Sequence, residues 1–330
     1  MIAGHIAPYG TMGAIRMIRR RTLLATLSGL AIGRAATRAI AAPGKTLRVG
    51  FQKGEPILLA AKQKRSLETL LSPLGVDVQW IEFQFGPPML EAMRVNAIDI
   101  GAVGDTPPVF AQAAHGDLLY IAAQRSGGQA ILVPPGSTLQ TLHDLKGKKI
   151  AFGRGSSAHN LTLAALEKAG LSYSEVQPIY LGPADAGAAF ERGGIDAWTI
   201  WDPYYALFET KPGVRVLAKW TDITEQNSFF MGRRGYVEAN PQVTAKVVDE
   251  FSNIANWARS HRAEIAASVA AETGMSLDAV RRGVDRDPFV VLRVDAGIAR
   301  IQQKVADRFS NLGLIPHPIN VSEQVWRAGA

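Results

Sequence analysis

The segment KKIAFGRGSSAHNLTLAAL, from Lys148 to Leu166, decides how this chain is read. It opens as a short apolar strand (Ile150, Ala151, Phe152), turns at Gly153 and Gly155, and offers the hydroxyls of Ser156 and Ser157. It then continues as a helix with Leu161, Ala164 and Ala165 on one face. The first N–H groups of such a helix have no partners and the helix dipole stands behind them, so they attract an anion. Two other readings fit the same residues. Ser156 or Ser157 can be a plain N-cap worth about 1 kcal/mol, and Gly153, Gly155 and Ala158 satisfy the GxGxxA variant of a dinucleotide fingerprint.

Strands and helices alternate on both sides of this segment. Before it, TLRVGF, VDVQWIEF, Ile98 to Val103, LLYIAA and AILV read as strands; Ile57 to Leu71, Met89 to Val95 and Pro107 to Ala114 read as helices. After it come strands at Val176 to Leu181, Ile195 to Ile200, Val214 to Trp220 and Ser228 to Met231. Four helices follow: Pro241 to Arg259, His261 to Thr273, Ser276 to Val284 and Asp295 to Leu312. The pattern predicts an α/β fold of mostly parallel sheets covered on both faces. Pro134-Pro135-Gly136 breaks the first series, so residues 134–226 are expected to form a second domain inserted into a first built from 43–133 and 227–330. Two crossovers, near Val133 to Thr138 and Trp220 to Ser228, would leave a ligand cleft between the domains and allow hinge closure of a monomer.

One pattern occurs in both halves. Ile98-Asp99 through Val103-Gly104-Asp105 and Ile195-Asp196 through Ile200-Trp201-Asp202 share I-D-x-x-x-[V/I]-x-D, each after a Gly-Pro helix start and before a proline that can open the next helix. Ligands of open α/β sheets bind beyond the carboxyl ends of strands, where Gly104-Asp105-Thr106 and Trp201-Asp202 fall. Glycine admits a head group to the main chain, and tryptophan supplies an apolar wall. Either aspartate could equally be a helix cap alone. Trp198, in mid-strand, reads as core.

Charge and leader belong together. The formal net charge is +7, yet Arg16, Arg19, Arg20, Arg21, Arg34 and Arg38 precede Pro43 with no acidic residue among them. The rest is nearly neutral, which removes the basic-patch argument for nucleic acid. Those arginines, the apolar run Leu23 to Ile32 and the small-x-small site Ala39-Ile40-Ala41 read as an export signal over residues 1–42, with twin-arginine character at Arg20-Arg21. The run is far shorter than the roughly 20 residues a spanning helix needs. The chain has no cysteine, so disulfides, thiol catalysis, thiolate metal sites and a lipidated cysteine are all excluded. No metal-ligand motif occurs among its six histidines, and no metal or cofactor is expected.

TLRVGFQKG, MLEAMRVNAIDIGAVGDTPPVFAQAA, KIAFGRGSSAHNL and GIDAWTIWDPYYA together resemble the periplasmic aliphatic-sulfonate-binding proteins of ABC importers, the SsuA-like group. The resemblance implies a type II periplasmic binding fold, a periplasmic location, and an inner-membrane permease with its ATPase as partner. It places ligand contacts on Gln52, Gly104, Asp105, Thr106, Ser156, Ser157, His159, Trp201 and Asp202. It also implies a binder and not an enzyme. Taurine, nitrate and thiamine-precursor binders are similar in outline and remain alternatives.

A sulfonate carries three acceptor oxygens and no proton to donate, so it needs several N–H and O–H donors. Carboxylates beside it are unexpected unless paired, or unless Asp105 or Asp202 meets a cationic amine elsewhere on the ligand. His159 is the one candidate that could titrate near neutrality, so binding is expected to be flat from about pH 6 to 8. Two enzyme readings compete. A dinucleotide enzyme lacks an acidic residue after Val176 to Leu181 to hold a ribose. A hydrolase would need Ser157 and His159 as nucleophile and base, with a third group that the sequence does not offer.

Overall fold

The computed structural model describes residues 45–327. The expected export signal lies outside the described residues. In chain order the strands are β1 Lys45–Phe51, β2 Val76–Glu82, β3 Ile100–Val103, β4 Leu118–Arg125, β5 Gln129–Val133, β6 Lys149–Phe152, β7 Gln177–Tyr180, β8 Ala197–Trp201, β9 Arg215–Lys219, β10 Asn227–Arg233 and β11 Val291–Leu292. The α-helices are α1 Pro56–Gln63, α2 Ser66–Leu71, α3 Gly86–Arg94, α4 Thr106–Ala113, α5 Ser157–Ala169, α6 Pro183–Glu191, α7 Tyr204–Glu209, α8 Arg234–Ala239, α9 Pro241–Ser260, α10 Arg262–Thr273, α11 Leu277–Arg286 and α12 Ala296–Asn311. No helix among the described residues is long and apolar enough to cross a membrane.

The strands form two sheets, ordered β11-β4-β10-β3-β1-β2 and β7-β6-β8-β5-β9. Each sheet is buried on both faces. Leu47, Val49, Phe230 and Phe251 belong to one apolar cluster of the first sheet, and Met89, Val103, Phe229 and Phe309 to the other. The second sheet has Phe152 and Leu166 in one cluster and Trp198, Phe190 and Phe208 in the other. Trp198 is fully buried, as its mid-strand position predicts.

Two expectations need correction. The sheets are mixed: β10 runs antiparallel to β3 and β4, β11 to β4, and β5 to β8 and β9. Strand direction leaves no mark in the composition of a doubly buried strand, so the apolar runs could not report it. The domain boundary also moves. AILV belongs to β5 of the second sheet, so the first crossover is Ser126-Gly127-Gly128 and not Pro134 to Gly136. The Pro134 carbonyl instead accepts the Ser137 N–H, closing a turn within the second lobe, with Gly136 at φ 74°. The chain returns to the first sheet at β10, close to the expected second crossover.

The expected helix Ile57 to Leu71 is two helices, broken at Arg65 with φ 50°. Its middle, Lys62-Gln63-Lys64-Arg65, has no apolar side chain to bind the turn to the sheet. Gly274 and Gly313 take the left-handed conformation at helix C-termini, at φ 71° and 64°.

The repeated Ile-Asp has a physical role in both sheets. Asp99 accepts the Arg48 N–H at 3.0 Å and returns its own N–H to the Arg48 carbonyl at 2.8 Å. Asp196 does the same with Lys149, at 2.8 and 2.9 Å. Each aspartate therefore ties the start of one central parallel strand to its neighbour, β3 to β1 and β8 to β6, which brings the two strand ends to the same edge.

Candidate functional site

A cavity of about 310 Å³ lies between the two sheets at those strand ends. The N-terminal turns of α1, α3, α4, α5 and α6 reach it through Pro56, Gly86, Pro107, Ser157 and Ala184. Several positive dipole ends thus point at one space, a general arrangement for holding an anion.

The opening strand-turn-helix of β6 and α5 supplies the most donors. Ser156 donates its hydroxyl to the Gly153 carbonyl at 2.7 Å, which fixes the turn; Gly155 takes φ 69°, open to glycine without strain. The His159 and Asn160 N–H groups return to the Ser156 carbonyl, so those of Ser157 and Ala158 have no main-chain acceptor among the described residues. The Ser157 hydroxyl lines the cavity directly opposite Gly104: a Cβ on Gly104 would stand 2.8 Å from both Cβ and Oγ of Ser157. Gly104 is therefore glycine because two strand-to-helix turns meet there.

Of the nine expected contact residues, six line the cavity: Gln52, Gly104, Ser156, Ser157, Trp201 and Asp202. Gln52 commits one amide N–H to the Ala102 carbonyl at 3.0 Å, leaving the other free. Trp201 ends β8 and offers its ring as wall.

The other three, Asp105, Thr106 and His159, do not line the cavity. Asp105 does not cap α4 either. Its carboxylate accepts Thr106 Oγ1 at 2.8 Å and Asn160 Nδ2 at 2.7 Å, joining α4 to α5. Burial pushes its pKa up to about 6, against those hydrogen bonds. His159 lies flat on Phe152, with ring centroids 4.7 Å apart, and edge-on to Phe309. Its Nδ1 accepts the Gly155 N–H and its Nε2 pairs with the Tyr173 hydroxyl, both at 3.3 Å. Burial, with Arg154 nearby, lowers its pKa to about 3, so it stays neutral. With both ring nitrogens committed there, no Ser157–His159 catalytic pair forms.

Asp202 reaches the cavity but is already neutralised. Arg286 Nε and Nη2 hold its two oxygens at 3.1 and 3.0 Å, and the Ala206 N–H gives it a third hydrogen bond at 3.0 Å. Arg286 also binds Glu209 at 2.7 Å and lies 4.1 Å above the Tyr205 ring. This arginine, on α11, links the first lobe to β8 and α7 of the second. Both Asp202 oxygens are thus engaged in a strut between the lobes, and Asp105 is buried.

The sequence reading missed Arg286, Glu55, Asp287 and the crossover Ser126 to Gly128, all but Arg286 lining the cavity. The glycine pair was the available signal. A Cβ on Gly128 would collide with the Asp202 carboxylate, and one on Gly127 would touch Asp287 Oδ2 at 3.4 Å. No group of three or more metal-ligating side chains occurs among the described residues.

Two lobes, the second inserted into the first, with an anion-attracting cavity at their facing strand ends, define the periplasmic binding protein fold. The chain belongs to the NMT1-like family, whose profile matches residues 41–273, and within it to the aliphatic-sulfonate-binding group. It is 41% identical over 286 residues to the aliphatic sulfonates-binding protein of Escherichia coli, covering 86% of this chain and 89% of that one. The crystal structure of the E. coli protein matches with a TM-score of 0.79 over 86% of this chain and 92% of that one. The alkanesulfonate-binding protein of Xanthomonas axonopodis pv. citri, bound to MOPS, is 40% identical with a TM-score of 0.81 over 87% and 100% of the two chains. A Bacillus subtilis aliphatic sulfonates-binding protein is 34% identical over 67% of this chain and 68% of its own length.

Proposed function

We propose that this chain is the solute-binding component of an ABC importer, capturing an aliphatic sulfonate in the periplasm and releasing it unchanged to an inner-membrane permease with its ATPase. It acts as a monomer that closes around the ligand. The observation that carries this reading is the start of α5, where Ser157 lines a cavity shared by both lobes and the N–H groups of Ser157 and Ala158 have no main-chain acceptor. Three sulfonate oxygens need such a cluster, and the helix dipole favours their charge. The family to which the chain belongs supports the same reading. Calorimetric titration with butanesulfonate and with pentanoate tests it: saturable one-site binding of the sulfonate supports it, and equal or tighter binding of the carboxylate contradicts it.

Two substitutions separate head group from tail. Ser157→Ala removes an O–H donor and leaves a charged oxygen underpaired, which should cost about 1.5 to 3 kcal/mol for every sulfonate. Trp201→Ala removes apolar wall, so its cost should be small for methanesulfonate and grow with a ring-bearing tail. Titrating both variants with three sulfonates of increasing size checks the contrast.

The pH expectation changes with the site. His159 is neutral throughout, but Glu55 lines the cavity, and burial with neighbouring Asp287 raises its pKa from 4.5 to about 7. Above that pH its charge faces the ligand. Anion binding is therefore linked to proton uptake, and affinity for butanesulfonate should fall several-fold from pH 6 to 8. Glu55→Gln should flatten the profile; an unaltered slope in that variant would assign the titration elsewhere.

A further inference from the structure

A second cavity, of about 710 Å³, opens at the other end of α4, between the turn that leads into β4 and the segment that follows α12. No residue that lines it lines the ligand cavity. His115 comes from the turn and His317 from the C-terminal segment, and their rings lie with centroids 5.0 Å apart and planes 24° apart. Neither ring has a hydrogen-bond partner among the described residues, so the nitrogens of both are uncommitted. Asp117 and Glu323 line the same space, Asp117 being already paired with Arg234 at 2.5 Å.

Two glutamines give a second, independent sign of a guest. Gln112 Nε2 donates to the Asn320 carbonyl and Gln324 Nε2 to the Gly116 carbonyl, each at 2.8 Å, so that each segment clamps the other. Both side chains line the cavity, and the Oε1 atom of each is buried without a hydrogen-bond partner. Gln112 as a whole is only 8% exposed. Buried amide oxygens are normally satisfied, and an unsatisfied one costs free energy unless a donor or a cation meets it. The helix dipole has the same sign here, since the last carbonyls of α4 carry partial negative charge.

Imidazole nitrogens with amide oxygens select transition metals, whereas magnesium and calcium prefer all-oxygen sites. The ring separation fits such an ion. Bonded to one nitrogen of each ring at about 2.1 Å, with a roughly tetrahedral angle between the bonds, it sets the two ring centroids about 5 Å apart.

We propose that His115 and His317 bind a divalent transition-metal ion of the zinc, nickel and copper class, with the amide oxygen of Gln112 or Gln324 and water completing its coordination. The ion ties the C-terminal segment to the turn between α4 and β4, at a site separate from the ligand cavity. The two histidines are far apart in the chain, so no spacing motif announces them.

Isothermal titration of the tag-free mature chain with zinc chloride and with nickel chloride at pH 7.5 tests this. Saturable binding of one ion per chain is expected, and none of magnesium. His115→Ala and His317→Ala, each verified as folded by its melting curve in EDTA, should weaken binding at least about tenfold. Each should also abolish the rise in melting temperature that zinc gives the unmutated chain. Absence of saturable binding by either ion overturns the proposal. Affinity that is unchanged in either variant overturns it too, by placing the ion elsewhere, and equal binding of magnesium would contradict ligation by imidazole.

Discussion

Replacing Arg286 with alanine should lower the stability of the folded chain by about 3 to 5 kcal/mol and weaken ligand binding at the same time. Its guanidinium is shared between Asp202 and Glu209, whose side chains are only 14% and 15% exposed. Without it two carboxylates remain side by side, held out of water, and leaving such a charge unpaired costs far more than the intact pair contributes. Burial already raises the pKa of Asp202 against the pull of Arg286. Arg286→Met would keep some of the packing over Tyr205 and isolate the charge effect. Urea denaturation of both variants, with binding titrations alongside, measures the two losses. Binding should suffer because the strut spans the lobes on one wall of the cavity.

Asp99→Ala should cost about 3 kcal/mol, against about 1 for Asp196→Ala, although the two residues occupy the same place in the repeat. Asp99 is fully buried and receives the Arg48 N–H, the Arg48 guanidinium at 2.8 Å and the Arg233 guanidinium at 2.8 Å. Its loss strands two arginines and one strand N–H. Asp196 accepts the Lys149 N–H in a partly exposed position. Denaturation of the two single variants under one buffer decides the matter. Equal costs would mean that the arginines add nothing to the strand tie.

How far the sequence revealed the site depends on the kind of information each residue carries. Ser156, Ser157 and Gly104 were legible because a glycine turn before an apolar helix has a local physical meaning, independent of what packs on it. Gln52 was named through the family resemblance alone, and Trp201 and Asp202 through both the resemblance and the internal repeat. The repeat located both strand ends but not their fates. Asp202 met an arginine 84 residues away, while Asp105 met Asn160 and was walled off. His159 shows the same limit: one helical turn points Ser157 at the cavity and His159 into Phe152 and Phe309. Glu55 looked like an ordinary helix start, and it does cap α1. Only the packing of α11 beside it, which brings Asp287 close, gives it a second meaning. Strand direction and the membership of AILV were illegible for the same reason, since both depend on partners distant in the chain.

The sulfonate group is expected at the start of α5, between the lobes. A crystal structure of the mature chain with an alkanesulfonate, phased on the anomalous signal of sulfur or of a brominated tail, tests it most directly. Sulfonate oxygens should lie within hydrogen-bonding distance of Ser157 Oγ and of the Ser157 and Ala158 N–H groups, with the tail toward Trp201. A ligand whose sulfonate lies away from α5 and against other donors, with Ser157 untouched, would contradict it.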